Sequence, residues 1–584
     1  MLSFATLNCK YDVYCFQNIK CSPSFQRRAL GAKLTAADIS LFRRKQFRQV
    51  KVFRLYSDRR DGFHHVPKSL NGDAAILWFR NNLRLLDNRC LNLANTAEAV
   101  LPLYVFDRRS LVRNRFGQQR CGPFRYSFVK ESVEHLQNSL RGLLSDLLVE
   151  VGAAAEVIRK LCVRYNIKHI VAPKMMSPEE EEYEQEVIQV AKELHVNVYF
   201  VWDCTLLSFE DLIINEYQHS FEAFYSSVIS KGLPKDFELE SNQRPFIKPL
   251  PSGFKPTFAI PLPHLVNDLG VENLCTPYEW PFPEPRAVFP FRGGEDSARD
   301  RLYDYFLKKN GLQHITELEN CSGVMDSSTK LSPWISTGCV SVRQVYWEGY
   351  RSHMKIVGTQ VANSWLRRFL LRDFLYLVCI QEGSDVFRDR TVNDDAPEFP
   401  LYKRKASCYE VTRNEALKAW LEGRTGYPYI DAHIKELRTT GYISYRGRLN
   451  VSSFLVHELD GEWQLGAEFF EHYLIDHDPV VNWGYWYYLY EKKKKVDSET
   501  IQVDTVEEAN KYDPEGFYVK KWLNQLVLLP PPFCHEPYLL SDEEQQQFEV
   551  ILGTDYPEPV LFPFVFEEIE RARQMFSSSI SASS

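Results

Sequence analysis

The chain has 584 residues, of which 70 are Lys or Arg and 77 are Asp or Glu, and 14% of its residues are aromatic. This length allows two or more domains with substantial cores. No run of about 18 apolar residues is present, so a membrane span is not expected. The 13 cysteines contain no CxxC pair, which argues against a zinc site and against a disulfide framework, and we expect no metal.

The first 72 residues are basic, with 14 Lys and Arg, four Asp and no Glu. Such an Arg-rich, acid-poor leader is typical of an organelle transit peptide, although a disordered basic arm or a mispredicted gene start has the same composition. We predict a plastid or mitochondrial protein rather than a nuclear or cytoplasmic one. Residues 73 to 584 hold 56 basic and 73 acidic side chains, a net charge of −17, so strong DNA binding would need a focused basic patch.

Short apolar runs alternate with helical patterns in residues 73 to 205. The runs are 74–79, 101–107, 169–174 and 196–202, and the clearest helical patterns are 124–148 and 178–194. This alternation predicts an α/β domain with a Rossmann-like parallel sheet and helices on both faces.

The rest of the chain divides into three parts. Residues 206–290 are rich in proline and weakly periodic, which predicts an interdomain connector. Residues 291–530 are mostly helical in pattern. Residues 531–584 form a C-terminal tail whose end, SSSISASS, is typical of disorder.

Polar and aromatic side chains are concentrated between Gly441 and Trp486, in an otherwise apolar and helix-prone stretch. They are Arg446, Arg448, Trp463, Asp476, Asp478, Asn482 and Trp486. A core does not otherwise accept so many buried polar groups, so the stretch predicts a pocket for a flat, polar ligand. We expect Arg448 to form a forked pair with Asp476, which leaves Asp478 to accept bonds from the ligand. Asn482 offers both a donor and an acceptor.

Trp463 and Trp486 are oxidisable, so beside a redox ring they can pass electrons outward in hops. The simpler interpretation is that both are core residues, because aromatic side chains dominate core burial.

On these residues the stretch resembles the flavin pocket of the photolyase/cryptochrome family. Five further blocks match that family in order over residues 74 to 526. They are WFRNNLRLLDN, GGEDSARDRLYDYF, SSTKLSPWISTGCVS, WLEGRTGYPYIDAHIKEL and KYDPEGFYVKKWLNQL, which start at Trp78, Gly293, Ser327, Trp420 and Lys511. The motifs NWGYW, RGRLNVSSFL and KYDPEG are most similar to those of the DASH-type cryptochromes.

The resemblance implies an antenna domain followed by a helical FAD-binding domain. Its FAD-binding positions are matched by Ser328, Thr329, Lys330, Leu331, Ser332, Trp365, Arg372, Asp373, Arg448, Asp476, Asp478 and Asn482. The first five lie where the family holds the diphosphate, although taken alone SSTKLSP is explained as a helix cap. Asn482 matches the residue that faces flavin N5. A folate antenna, 5,10-methenyltetrahydrofolate, is implied as well, and Glu131 lies in the block that borders its site.

In the family's electron-transfer chain Trp486 matches the flavin-proximal member and Trp463 the middle one. The surface member is missing, because Tyr409 and Glu410 stand at its place. Tyr409 is the candidate terminal donor.

The chain departs from the family where a photolyase would hold a pyrimidine dimer. Arg368 replaces the carboxylate that would bond the flipped bases, and Leu371 replaces the Trp on which a base would stack. Tyr445 stands where Asn is usual, beside Arg446. Repair needs an extruded base pair held by such contacts, so efficient repair is not expected.

Three functions remain open from the sequence. The first is a FAD-based blue-light photoreceptor of DASH cryptochrome type, which the substitutions at Arg368 and Leu371 favour. The second is a photolyase that repairs cyclobutane dimers, with single-stranded or damaged DNA as its partner. The third is a diverged flavin-fold protein that serves only in interactions. A protein partner is not predictable from the sequence.

Overall fold

The computed structural model describes residues 66–70, 72–111, 119–214, 220–231, 245–255, 284–309, 311, 328–353, 359–387, 413–493 and 503–561. The predicted transit peptide, Tyr409 and the serine-rich end of the chain lie outside these residues.

The N-terminal region contains a five-stranded parallel sheet, which confirms the predicted fold class. Its strands are β1 (Ala74–Phe79), β2 (Ala99–Phe106), β3 (Leu148–Val151), β4 (Ile167–Pro173) and β5 (Asn197–Val201). The sheet order is β3-β2-β1-β4-β5, so the central strand comes first and the chain winds outward in both directions. β1 reads as a continuous apolar run because both faces of a parallel sheet are covered.

Four helices connect these strands. They are α1 (Arg89–Ala94), α2 (Pro123–Gly142), α3 (Ala154–Tyr165) and α4 (Pro178–Leu194). α4 has the predicted bounds because its start is marked twice: Ser177 and Glu180 form a capping box and Pro178 occupies the first turn. β3 was not predicted from the sequence, since it has four residues of which one is buried, and the predicted helix 124–148 ran into it.

The predicted connector contains two helices, α5 (Phe209–Ile214) and α6 (Phe221–Lys231). α6 packs against the helical region through Phe221 and Phe224, whose rings lie 5.8 and 5.7 Å from that of Phe374.

The remaining described chain is helical. Its helices are α7 (Glu295–Leu302), α8 (Ser332–Ser336), α9 (Val342–His353), α10 (Thr359–Glu382), α11 (Arg413–Glu422), α12 (Pro428–Thr440), α13 (Tyr445–Ser453), α14 (Trp463–Tyr473), α15 (Pro479–Lys493), α16 (Thr505–Tyr512), α17 (Phe517–Trp522), α18 (Pro531–Cys534) and α19 (Asp542–Gln547). Wide π-helical turns extend α7 at Tyr303–Lys308 and α13 at Phe454–Glu458. Within the described residues no helix is both long and apolar enough to cross a membrane.

The core of the helical region continues past residue 530, where the sequence analysis began a tail. Leu540, Val550 and Tyr556 pack with Tyr429 and Trp522 in one buried cluster. The Tyr556 hydroxyl also donates to buried Asp431, at 2.6 Å. Residues 531 to 561 therefore belong to the folded body.

A buried ion-pair network joins the α/β region to the helical region. Asp203, which follows β5, accepts from Arg84 and from Arg343 Nη2, the latter at 2.6 Å. Arg84 also donates to the Gly338 carbonyl at 3.1 Å, and Arg343 Nε donates to Asp87 at 3.0 Å. Burial alone would raise the pKa of the Asp203 carboxyl. The positive charges of Arg84 and Arg343 have the opposite and larger effect, so the pKa lies below its ordinary value. We call this set of residues the junction network.

Backbones from the two regions also meet directly. At Gly338, whose φ is +72°, a Cβ atom would overlap the Asn81 carbonyl group, and at Gly122 it would overlap the His472 carbonyl group. Only glycine allows this approach.

Candidate cofactor-binding site

Three predicted residues lie along one face of α10. Trp365, Arg368 and Arg372 are spaced i, i+3 and i+7, which places them on one side of a helix. Trp365 is buried, with its ring against Phe306 and Phe369 at 5.4 and 4.7 Å. At the other end of this face, Arg372 Nη2 donates to Asp478 Oδ2 at 2.6 Å.

Asp478 connects α10 to α15. Its Oδ1 accepts from the backbone N–H groups of Val480 and Val481 at 3.0 and 3.1 Å, which caps the start of α15. Its Oδ2 accepts from Arg372 and from the Tyr376 hydroxyl, the latter at 3.0 Å. Both oxygens of Asp478 therefore have protein partners, contrary to the expectation that this carboxylate would be left for a ligand.

Asp476 is the carboxylate with an unused oxygen. Arg448 Nη2 donates to its Oδ2 at 2.6 Å, so the predicted ion pair is present. The pair is not the predicted forked one, because Arg448 Nε and Nη2 both donate to the Ile443 carbonyl at 3.2 Å. Asp476 Oδ1 is buried and finds no hydrogen-bond partner among the described residues. Asp476 thus makes the predicted ion pair, and it is also the aspartate that keeps an oxygen without a partner among the described residues.

Tyr442 connects this pair to the predicted diphosphate segment. Arg448 and Lys330 lie over its ring, at 5.7 and 5.8 Å from the ring centroid, and its hydroxyl is hydrogen-bonded to Ser332. Lys330 is buried and has a φ of +58°, a backbone conformation that non-glycine residues rarely adopt. The segment thus belongs to the same site as Arg448 and Asp476.

Arg301 on α7 fixes the backbone of the diphosphate segment. Its Nε donates to the Thr329 carbonyl at 2.8 Å and its Nη2 to the Ser328 carbonyl at 3.2 Å. Ser328, Thr329 and Ser332 are half-buried, so their hydroxyl groups are held in a fixed loop that anions can reach. Leu331 is buried at the start of α8.

Several buried polar atoms of this site have no hydrogen-bond partner among the described residues. They are Asp476 Oδ1, Arg372 Nε and His477 Nδ1. An unsatisfied buried group costs about 1–3 kcal/mol, and a ring system with N–H and carbonyl groups would satisfy several of them. Burial and the charges of Arg125 and Arg120 lower the pKa of His477 well below its ordinary value, so that imidazole is neutral.

Asn482 and Trp486 are carried on the face of α15 that packs against α14. The Asn482 side-chain N–H donates to the Ala467 carbonyl at 2.9 Å. Trp486 is fully buried, with its ring 5.2 Å from that of Phe470. A Cβ atom at Gly466 would overlap the indole of Trp486, so the space for this ring exists only because residue 466 is glycine. Trp463, also buried, lies one helical turn before Gly466.

Two predicted residues are engaged away from this cluster. Asp373 is fully buried and accepts from the backbone N–H groups of Leu206 and Leu207 at 3.1 and 2.7 Å. Glu131 on α2 accepts from Arg292 at 3.1 Å and from the Gly293 N–H at 2.7 Å. Both carboxylates thus join separate regions of the chain.

The residues at the diverged substrate positions differ in their exposure and contacts. Tyr445 is 58% exposed, while Arg368 and Leu371 are half-buried. Arg446 pairs with Glu508 at 3.1 Å and lies 4.6 Å from the Tyr512 ring centroid.

Arg301, Tyr376 and Tyr442 were not predicted from the sequence. Arg301 lies inside the matched block GGEDSARDRLYDYF, so the block marked it without indicating a role. Tyr376 follows Arg372 by four residues on α10, a spacing that predicts contact. Tyr442 carried no such signal.

Comparison with known proteins agrees with this geometry. Residues 75–239 match the family model described as DNA photolyase, and residues 365–576 match the FAD binding domain of DNA photolyase. The chain is 33% identical over 504 residues to a protein named Cryptochrome DASH from Synechocystis sp., covering 85% of this chain and 95% of the relative. It is 30% identical over 527 residues to "Cryptochrome DASH, chloroplastic/mitochondrial" from Ostreococcus tauri, covering 84% and 90%.

Solved structures give the same result. The Synechocystis sp. PCC6803 cryptochrome superposes with a TM-score of 0.71 at 30% identity, covering 88% of this chain and 99% of that one. A class III photolyase from Agrobacterium tumefaciens has a TM-score of 0.66 at 20% identity, over 88% and 99%, and shares the fold.

The helical region with its incomplete polar cluster is therefore an FAD-binding domain of the photolyase type. The chain belongs to the photolyase/cryptochrome family, as the resemblance implied. Within that family it is an FAD-binding photoreceptor of the cryptochrome DASH type.

Proposed function

We propose that this photoreceptor works by light-driven electron transfer into the pocket through Trp486 and then Trp463. FAD supplies the blue-light absorption and, once excited, a strong demand for an electron. Trp486 is the oxidisable ring of the site that is fully buried and whose indole N–H has no partner among the described residues. That observation carries the proposal, because a buried indole without a hydrogen-bond acceptor holds its proton when it loses an electron.

The roles of the polar residues follow from their contacts. Arg448 and Asp476 would hold the ring system, with Asp476 Oδ1 as an acceptor for its N–H groups. Arg372, fixed by Asp478, offers Nε as a donor. Ser328, Thr329 and Ser332 would bind the diphosphate together with buried Lys330. Asn482, tied to Ala467, would tune which reduced form is stable.

The decisive experiment compares two tryptophan variants of the full chain. Trp486→Phe removes an oxidisable ring, and we expect normal FAD content but photoreduction slowed by at least about tenfold, equivalent to about 1.4 kcal/mol of barrier. Trp522→Phe is the matched control, since Trp522 is also buried and its indole N–H also finds no partner in the described part of the chain, but it lies in the C-terminal core. Wild-type photoreduction in Trp486→Phe would contradict the proposal.

Dimer repair is not favoured by the residues at the diverged substrate positions. Arg368 and Leu371 offer neither the carboxylate nor the indole that would hold flipped bases. Single-stranded or damaged DNA stays a predicted partner. The test is repair of a dimer-containing oligonucleotide by the wild type and by the double variant Arg368→Glu, Leu371→Trp. Equal repair by both would restore the photolyase alternative.

The binding of a folate antenna and localisation to an organelle also stay predictions. Glu131 has two partners across the regions, so a folate would have to share this carboxylate with Arg292 and Gly293. Absorption spectra after reconstitution with 5,10-methenyltetrahydrofolate, for the wild type and Glu131→Gln, test the role of this carboxylate.

Algal and plant relatives are named chloroplastic/mitochondrial. Fusing residues 1–72 to a fluorescent protein tests plastid or mitochondrial import.

A further inference from the structure

Trp463 contacts three aromatic rings of α15. The centroid of its ring lies 5.9 Å from Trp483, 6.0 Å from Tyr487 and 6.0 Å from Tyr490. These residues are spaced i, i+4 and i+7, so they form a stripe along one face of the helix. An electron that leaves Trp463 for flavin-proximal Trp486 is thus replaceable from any of three neighbours.

Burial separates the three neighbours. Trp483 is 8% exposed and Tyr487 is 6% exposed, whereas Tyr490 is only half-buried. Trp483 also donates its indole N–H to buried Glu471 at 3.2 Å. The last donor of such a path must pass a proton to water and be reached by an external reductant, and Tyr490 is the most exposed member of the stripe.

The orientation of the rings favours the same residue. Tyr490 is inclined by 32° to Trp463, while Trp483 and Tyr487 meet it edge-on at 82° and 75°. A smaller angle between two rings gives their π-systems more overlap than an edge-on contact, and this overlap carries the electron.

We propose that Tyr490 is the terminal electron donor of this protein and takes the place of the missing surface tryptophan. This rests on the proposed function of Trp486 and Trp463. Oxidised Trp463 takes one electron from Tyr490, the phenolic O–H bond breaks, and its proton goes to water. The product is a neutral tyrosyl radical, which an external thiol returns to tyrosine by giving up one electron and one proton.

The test is electron paramagnetic resonance on the FAD-loaded full chain, frozen under blue light. The wild type should give a tyrosyl radical that narrows when the protein is made with ring-deuterated tyrosine. Tyr490→Phe should give a tryptophan radical instead, with the yield of lasting reduced flavin lowered severalfold. Tyr487→Phe is the matched control, because Tyr487 contacts Trp463 at the same distance but is buried, and it should behave as the wild type.

A measurement without flavin tests the required access to solvent. Tetranitromethane should nitrate Tyr490 before Tyr487 in the flavin-free protein, as read by mass spectrometry. Equal protection of both rings would overturn the proposal. So would a tyrosyl signal that persists in Tyr490→Phe, or one lost in Trp483→Phe while Tyr490→Phe is unchanged.

The electron path through Trp486 and Trp463 and the role of Tyr490 are tested separately. A wild type that binds FAD but is not photoreduced would contradict the proposed electron path through Trp486 and Trp463. A photoreduced wild type whose radical and yield are the same in Tyr490→Phe would leave that path intact and remove only the role of Tyr490.

Discussion

Two clusters of charged side chains among the described residues, the junction network and the pocket, are built differently. In the junction network, Arg84, Asp203 and Arg343 are almost fully buried and bonded to one another or to backbone carbonyls. In the pocket, Asp476 is buried and Arg372 is half-buried, and each keeps one buried polar atom without a partner among the described residues. A complete network holds two regions together, whereas an incomplete one indicates that a ligand makes the remaining bonds.

The largest effect is expected in the junction network. Asp203→Ala removes the carboxylate between Arg84 and Arg343 and leaves two buried guanidinium groups without it. The free energy of unfolding should fall by about 3–5 kcal/mol, with or without FAD, as measured by chemical denaturation. Arg159→Ala, at an exposed ion pair with Glu193, is the control and should leave stability unchanged. A small loss in Asp203→Ala would mean that the junction does not depend on this carboxylate.

Packing around Trp486 should give the next largest effect. Gly466→Ala puts a methyl group into the indole ring, and such overpacking costs about 1–3 kcal/mol. The variant should also lose photoreduction, because Trp486 has to move. Gly142→Ala is the matched control at a helical glycine with open space around it. Equal stability of the two variants would show that α14 and α15 separate easily.

Asp476→Ala should separate stability from ligand binding. Arg448 keeps its two bonds to the Ile443 carbonyl and is partly exposed, and the orphaned oxygen is lost with the side chain. The flavin-free protein should therefore lose only about 1–2 kcal/mol, less than Asp203→Ala. FAD affinity should fall by more than about tenfold, or 1.4 kcal/mol. Unchanged affinity would place Asp476 with the structural residues.

The smallest effect concerns the pH dependence of stability. Burial raises the pKa of Asp373 from 3.8 to about 7, although the N–H groups of Leu207 and Leu206 oppose the shift. The folded state thus holds this proton where the unfolded state has lost it, and stability falls as pH rises through this range. Between about pH 6 and pH 8 the loss from Asp373 should be about 1.4 kcal/mol. The difference in slope between wild type and Asp373→Asn measures it, and parallel slopes would refute it.

The elements predicted from the sequence are those with a regular apolar pattern or a segment that matches the family. β1 and α4 were found with their bounds because apolar runs and a capping box lie in the sequence itself. β3 was missed, since a four-residue edge strand carries little pattern. The pocket residues were found by resemblance, but the engagement of both Asp478 oxygens by the protein itself was not predictable. It depends on Tyr376 and on the start of α15 reaching Asp478, which only the packing of α10 against α15 decides.

The glycine contacts at Gly338 and Gly122 restrict how this photoreceptor can respond to light. Carbonyl groups of one region rest directly on the backbone of the other, with no flexible side chain between them to absorb a displacement. A hinge or shear motion between the regions would drive main chain against main chain. Light-induced change should therefore begin among the loops and helix ends of the helical region, while the α/β region moves with it as one rigid body.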